Sequence, residues 1–117
     1  MDDLASALAI VGHKWSLLIL QDLIGGPRRF TEIERSLGGA NPKMVVARLR
    51  ELEAAGLVSR TTYAEVPPRV EYALTDHGRA LRPSIEALRR WGARRPAARG
   101  SAADRRRAGR SSAPSRR

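Results

Sequence analysis

The sequence predicts a mainly α-helical domain with one small antiparallel β-hairpin, connected as a winged helix-turn-helix, over residues 1–92. Three observations carry this reading. Apolar residues recur three and four positions apart in successive segments, the period of amphipathic helices. Gly38-Gly39 separates a short helical segment from a longer one that opens on Asn41-Pro42. Two short segments, 57–62 and 69–74, carry strand signals and flank a loop containing Pro67-Pro68.

Taken in order, Leu4, Ala7, Leu8 and Val11 give a short amphipathic helix over residues 3–11, ended by Gly12. Residues 14–24 are apolar on nearly every side, as expected of a central helix buried in a core or shared with a partner subunit. Gly25-Gly26-Pro27 stops it. Thr31 and Glu34 fit a capping box, with Phe30 as the staple, so a helix is expected from about Glu32 to Leu37. After the glycine pair, Asn41 is placed to cap and Pro42 to occupy the first turn of a helix whose inner stripe is Val45, Leu49 and Leu52. Gly56 ends that helix. In the second strand Val70, Tyr72 and Leu74 share one face. Thr75 then caps a last helix with the stripe Leu81, Ile85, Leu88 and Trp91, and Pro83 is expected to kink or divide it.

Composition narrows the function classes. The net charge is +10, which favours a polyanionic partner. Its distribution qualifies that inference: residues 1–92 hold 13 Lys and Arg against 11 Asp and Glu, whereas residues 93–117 hold nine Arg against Asp104 alone. The body is therefore nearly neutral and the excess belongs to a tail rich in Arg, Ala and Ser, which is expected to be disordered because no large apolar residue follows Trp91. There is no Cys, which excludes disulfide, thiolate and Cys-metal chemistry. The acidic start gives no sign of a signal peptide, and no apolar run reaches the roughly 18–20 residues of a membrane span, so a cytoplasmic protein with no membrane partner is expected. His13 and His77 sit in different elements without ligands at metal spacing, and neither a nucleophile elbow nor a phosphate-binding glycine loop is present. An enzyme is not expected, nor a cofactor or metal.

The candidate site lies on the second helix of the helix-turn-helix. With Val45, Leu49 and Leu52 inward, Lys43, Val46, Ala47 and Arg50 face out near its start, where a recognition helix meets base edges. Lys43 suits a guanine edge or a phosphate, and Val46 and Ala47 suit a thymine methyl. Arg28, Arg29, Thr31 and Asn41 flank helix starts and suit phosphates. Arg60 and Arg69 flank the wing, where they either touch DNA or pair with Glu65 and Glu71 across the hairpin. Arg48, beside the buried stripe, is expected to pair with Glu51 or Glu32.

The runs Gly12-His13-Lys14-Trp15 through Leu20, Gly26 to Phe30, Arg48 to Val58 and Val66 to Thr75 resemble the HxlR family, MarR-like winged helix-turn-helix regulators of bacteria and archaea. The resemblance spans about residues 4–92, and Pro67-Pro68-Arg69-Val70-Glu71-Tyr72 followed by Leu74-Thr75, together with Lys14-Trp15, is far more specific than the order of helices. It implies a homodimer built by the N-terminal and last helices, here through Leu4, Leu8 and Val11 with Leu81, Ile85, Leu88 and Trp91. There are departures. Many members carry a Cys near the N-terminus, some as a sensor of oxidants or electrophiles, and this chain has none. The usual Gly-Gly-Lys-Trp has His at position 13, and the arginine tail lies outside the family pattern.

Together these features predict a sequence-specific DNA-binding transcriptional regulator that binds an inverted-repeat operator in double-stranded DNA as a homodimer and represses by occlusion. A small-molecule effector of unknown chemistry is left open. The rival readings are a non-specific nucleic-acid or nucleoid-binding protein driven by the tail, and a winged-helix protein-interaction module.

Overall fold

The computed structural model describes residues 2–94, so the expected disorder of the tail lies almost wholly outside the described residues. The elements are α1 (Asp3–Val11), α2 (Lys14–Ile24), β1 (Arg28–Arg29), α3 (Phe30–Leu37), α4 (Pro42–Ala54), β2 (Val58–Tyr63), β3 (Arg69–Leu74), α5 (Asp76–Arg79) and α6 (Arg82–Ala93). One compact unit ends at Ile85 and a second begins at Glu86, within α6.

The core of the first unit follows the apolar stripes. Ile19, Leu20 and Leu23 of α2 meet Ile33 of α3 and Val45, Leu49 and Leu52 of α4, with Leu57, just before β2, and Val58 and Leu74 from the sheet closing one side. Phe30 and Tyr72 pack at its edge. Aliphatic side chains of this size each gain roughly 1.5–3 kcal/mol on burial, which is what holds short helices that would not form alone.

The sheet has the order β1-β3-β2 and is antiparallel throughout. Val58 pairs with Leu74 at one end of the hairpin and Tyr63 with Arg69 at the other. The third strand, β1, is not expected from the sequence: two residues show no alternation, and Arg28 and Arg29 pair with Tyr72 and Glu71 only because α2 and α3 deliver them there. This strand also moves the start of α3. Arg29, held extended at φ −82° and ψ 159°, is the N-cap, and its backbone N–H donates to Glu32 Oε1 at 2.8 Å. The capping carboxylate is thus Glu32 and not Glu34, and Thr31 is an exposed residue of the first turn and not a cap.

Pro83 divides the last helical segment as expected. Thr75 caps the short α5 by accepting from the Gly78 N–H at 3.0 Å, the chain turns at Ala80-Leu81, and Pro83 falls in the first turn of α6, where its missing N–H costs nothing. Thr75 also donates to the Gly56 carbonyl at 2.6 Å, which ties α5 to the end of α4.

Candidate nucleic-acid interface

The helix-turn-helix is α3, the turn at residues 38–41, and α4. Gly38 and Gly39 have φ of +44° and +103°, a backbone that side chains resist, so the tight turn needs glycine at both positions. Asn41 Oδ1 accepts from the Lys43 N–H at 2.8 Å and Pro42 occupies the first turn, as expected. Ile33 of α3 and Val45 of α4 are both buried in the common core, where each helix packs on α2, and this fixes which side of α4 faces out.

On that side Lys43 and Arg50 are exposed, and neither has a carboxylate partner among the described residues. Val46 and Ala47 are half-buried. Val46 differs from the sequence expectation of an exposed side chain: it lines a hollow of about 310 Å³ between α4 and the sheet, shared with Arg50, Glu53, Arg60 and Tyr72. Arg48 turns away to Glu51, with Nη2 donating at 2.8 Å.

The flanking arginines are arranged differently. Arg29 is exposed and its guanidinium has no acidic partner among the described residues, next to exposed Thr31. Arg28 lies 3.8 Å from Asp22, whose Oδ1 also accepts from Ser36 Oγ at 2.9 Å, so this carboxylate ties α2 to both β1 and α3. Arg60 reaches Glu53 of α4 at 4.0 Å, a partner from another element that the hairpin pattern alone does not suggest. Arg69 pairs with both Glu65 and Glu71.

The expected dimer residues separate into two groups. Leu4 and Leu8 on α1 are 68% and 50% exposed, and Leu88 and Trp91 on α6 are exposed too. Val11 and Ile85 are core residues with little surface left for a partner, because α1 and the start of α6 must also close their own domain, and Leu81 is half-buried against that core. Ile10, absent from the expected set, is exposed on α1 and borders an apolar hollow of about 300 Å³ lined also by Leu57, His77 and Leu81. His13 acts as a helix cap, its Nδ1 accepting from the Trp15 N–H at 3.1 Å. No group of three metal-ligating side chains occurs among the described residues, and no single described helix is long and apolar enough to cross a membrane.

Comparison with known proteins places this architecture. The sequence model of the HxlR-like helix-turn-helix matches residues 10–98. The HTH-type transcriptional regulator YkvN of Bacillus subtilis is 46% identical over 83 residues, covering 71% of this chain and 70% of that protein. Among solved structures, the redox regulator HypR in its oxidized form superposes with a TM-score of 0.78 at 37% identity, covering 81% of this chain and 98% of that one. The reduced form of the transcriptional regulator YodB from B. subtilis gives 0.70 at 35% identity over 78% and 89% of the two chains.

Proposed function

The chain belongs to the HxlR-like helix-turn-helix family of DNA-binding transcription regulators, and we propose that it acts as a homodimeric, sequence-specific repressor at an inverted-repeat operator. One observation carries the reading: the outer face of α4 presents Lys43, at its start, and Arg50, two turns on, uncompensated by any described carboxylate, beside the small side chains of Val46 and Ala47. In a nearly neutral body such cations are free for guanine edges and phosphates, while Val46 and Ala47 allow close approach to bases. Arg29, Thr31 and Asn41 at the two helix starts, with Arg28 and Arg60, meet the sugar-phosphate backbone. Repression by occlusion requires of the bound dimer only that it cover the operator.

HypR is named a redox regulator; the present sequence has no Cys and so offers no thiol of its own for such control.

Selection from a random DNA pool with the purified full-length chain tests the reading, the expected result being enrichment of a two-fold symmetric sequence. Lys43→Ala is expected to cost about 1–3 kcal/mol on the selected duplex, or to relax preference at one base pair in each half-site. Intact operator binding by a Lys43→Ala, Arg50→Ala double variant sinks the assignment.

A further inference from the structure

We propose that Arg69 is the positioning residue of the wing and not one of its DNA contacts: it joins Tyr63, Glu65 and Glu71 into one clamp that sets how the loop Ala64–Pro68 meets the duplex. The inference rests on the DNA-binding reading above.

Tyr63 and Arg69 form the last pair of the β2-β3 ladder, so everything between them is wing loop. The Arg69 guanidinium lies 4.0 Å from the centroid of the Tyr63 ring. Its Nε and Nη2 donate to Glu65 Oε2 at 3.2 and 2.9 Å, and Nη1 donates to Glu71 Oε2 at 2.6 Å. Strand, loop and opposite strand are thereby tied at one planar cation, a geometry that suits guanidinium and not ammonium. The hydrogen bond to Glu65 raises the guanidinium pKa further above its ordinary value; desolvation opposes it, and the charges of Glu65 and Glu71 with the Glu71 hydrogen bond add to the rise.

The charge balance argues against a phosphate contact. One guanidinium faces two carboxylates, so the cluster is net negative, and a phosphate approaching it meets repulsion. Lys43 and Arg50 have no such counter-ions among the described residues. What the clamp presents instead is Val66, which is fully exposed between Glu65 and Pro67-Pro68. A loop already held in shape loses less conformational freedom when it docks, which is how a residue that touches no DNA contributes to affinity.

The test uses the full-length chain and the duplex that the wild type enriches most, titrated by fluorescence anisotropy across a salt series. Glu71→Gln keeps the side-chain shape and removes a negative charge near the DNA, so charge alone predicts tighter binding. The clamp predicts the reverse: weakening by about three- to tenfold from Glu71→Gln, similar weakening from Arg69→Lys, and a salt slope for Arg69→Ala equal to that of the wild type. Glu71→Gln binding as tightly as the wild type or more tightly overturns the proposal. So does a slope flattened by about one in Arg69→Ala with affinity restored in Arg69→Lys, since that is the signature of a phosphate contact. If Arg69→Ala fails to fold, the Glu71→Gln result still decides. A wild type that enriches no sequence overturns the DNA-binding reading itself, and the clamp's role with it, before any variant is compared.

Discussion

At the start of α4 the Asn41 side chain sits where helix stability and DNA contact meet. Its Oδ1 caps the helix through the Lys43 N–H at 2.8 Å, and the residue is exposed beside the proposed recognition surface. The two roles separate by substitution. Asn41→Ala removes the cap and is expected to lower stability by about 1 kcal/mol in urea denaturation. Asn41→Asp keeps a capping oxygen and adds a charge favourable to the helix dipole, so stability holds, while the same charge beside a phosphate weakens DNA binding in anisotropy titrations. Equal DNA affinity for Asn41→Asp and the wild type would remove Asn41 from the interface. At this scale the sequence reveals residues whose role depends on near neighbours: Asn41-Pro42 as helix start, and Lys43 and Arg50 as outward cations. It does not reveal roles set by residues distant in the chain. Arg60 meets Glu53 only because the sheet packs on α4, and Val46 is half-buried because Tyr72 and Arg60 lie across the hollow.

Among the elements, those with a strong period or a glycine stop are legible, and the short ones are not. α1, α2, α4 and β3 follow from apolar spacing and punctuation, whereas β1 and the true start of α3 depend on a strand pairing across more than 40 residues of chain. The junction of β3 with α5 shows a further constraint of tertiary origin. Gly78 is buried, and a Cβ on it would fall well inside contact distance of the Leu57 carbonyl oxygen and close to the Leu74 side chain. Nothing in the sequence around Asp76-His77-Gly78-Arg79 marks this glycine as a packing residue, since glycine in a short helix reads as a weak helix former. Because the neighbour is backbone, it has little room to move. Gly78→Ala is therefore expected to destabilise the domain by about 1–3 kcal/mol, despite the better helix propensity of Ala, with the loss read as a lower urea midpoint. A midpoint at or above that of the wild type would mean that α5 shifts on β2 at no cost.

For the whole molecule, the proposed homodimer rests on the apolar surface left on α1 and on that left on α6. Leu4, Leu8 and Ile10 are exposed on a nine-residue helix, and Leu88 and Trp91 are exposed on α6; each is an apolar face that a second copy would cover in the proposed homodimer. A dimer of this kind places two α4 helices about one turn of DNA apart, roughly 34 Å, which is why a symmetric site is expected. Leu8→Glu tests this without touching the protomer core, since Leu8 is half exposed in the single chain. Its circular dichroism is expected to match the wild type, while sedimentation shows a monomer and affinity for the inverted repeat falls toward that for a single half-site. A dimeric Leu8→Glu with wild-type affinity would move the interface off α1. The basic tail is an independent variable in the same titration. Truncation after Arg94 removes eight Arg and one Asp, which is expected to weaken binding and flatten the salt slope while leaving base preference unchanged. If base preference disappears with the tail, binding is driven by non-specific charge and the nearly neutral body reads no sequence. If it persists, the tail contributes affinity and α4 contributes the choice of site.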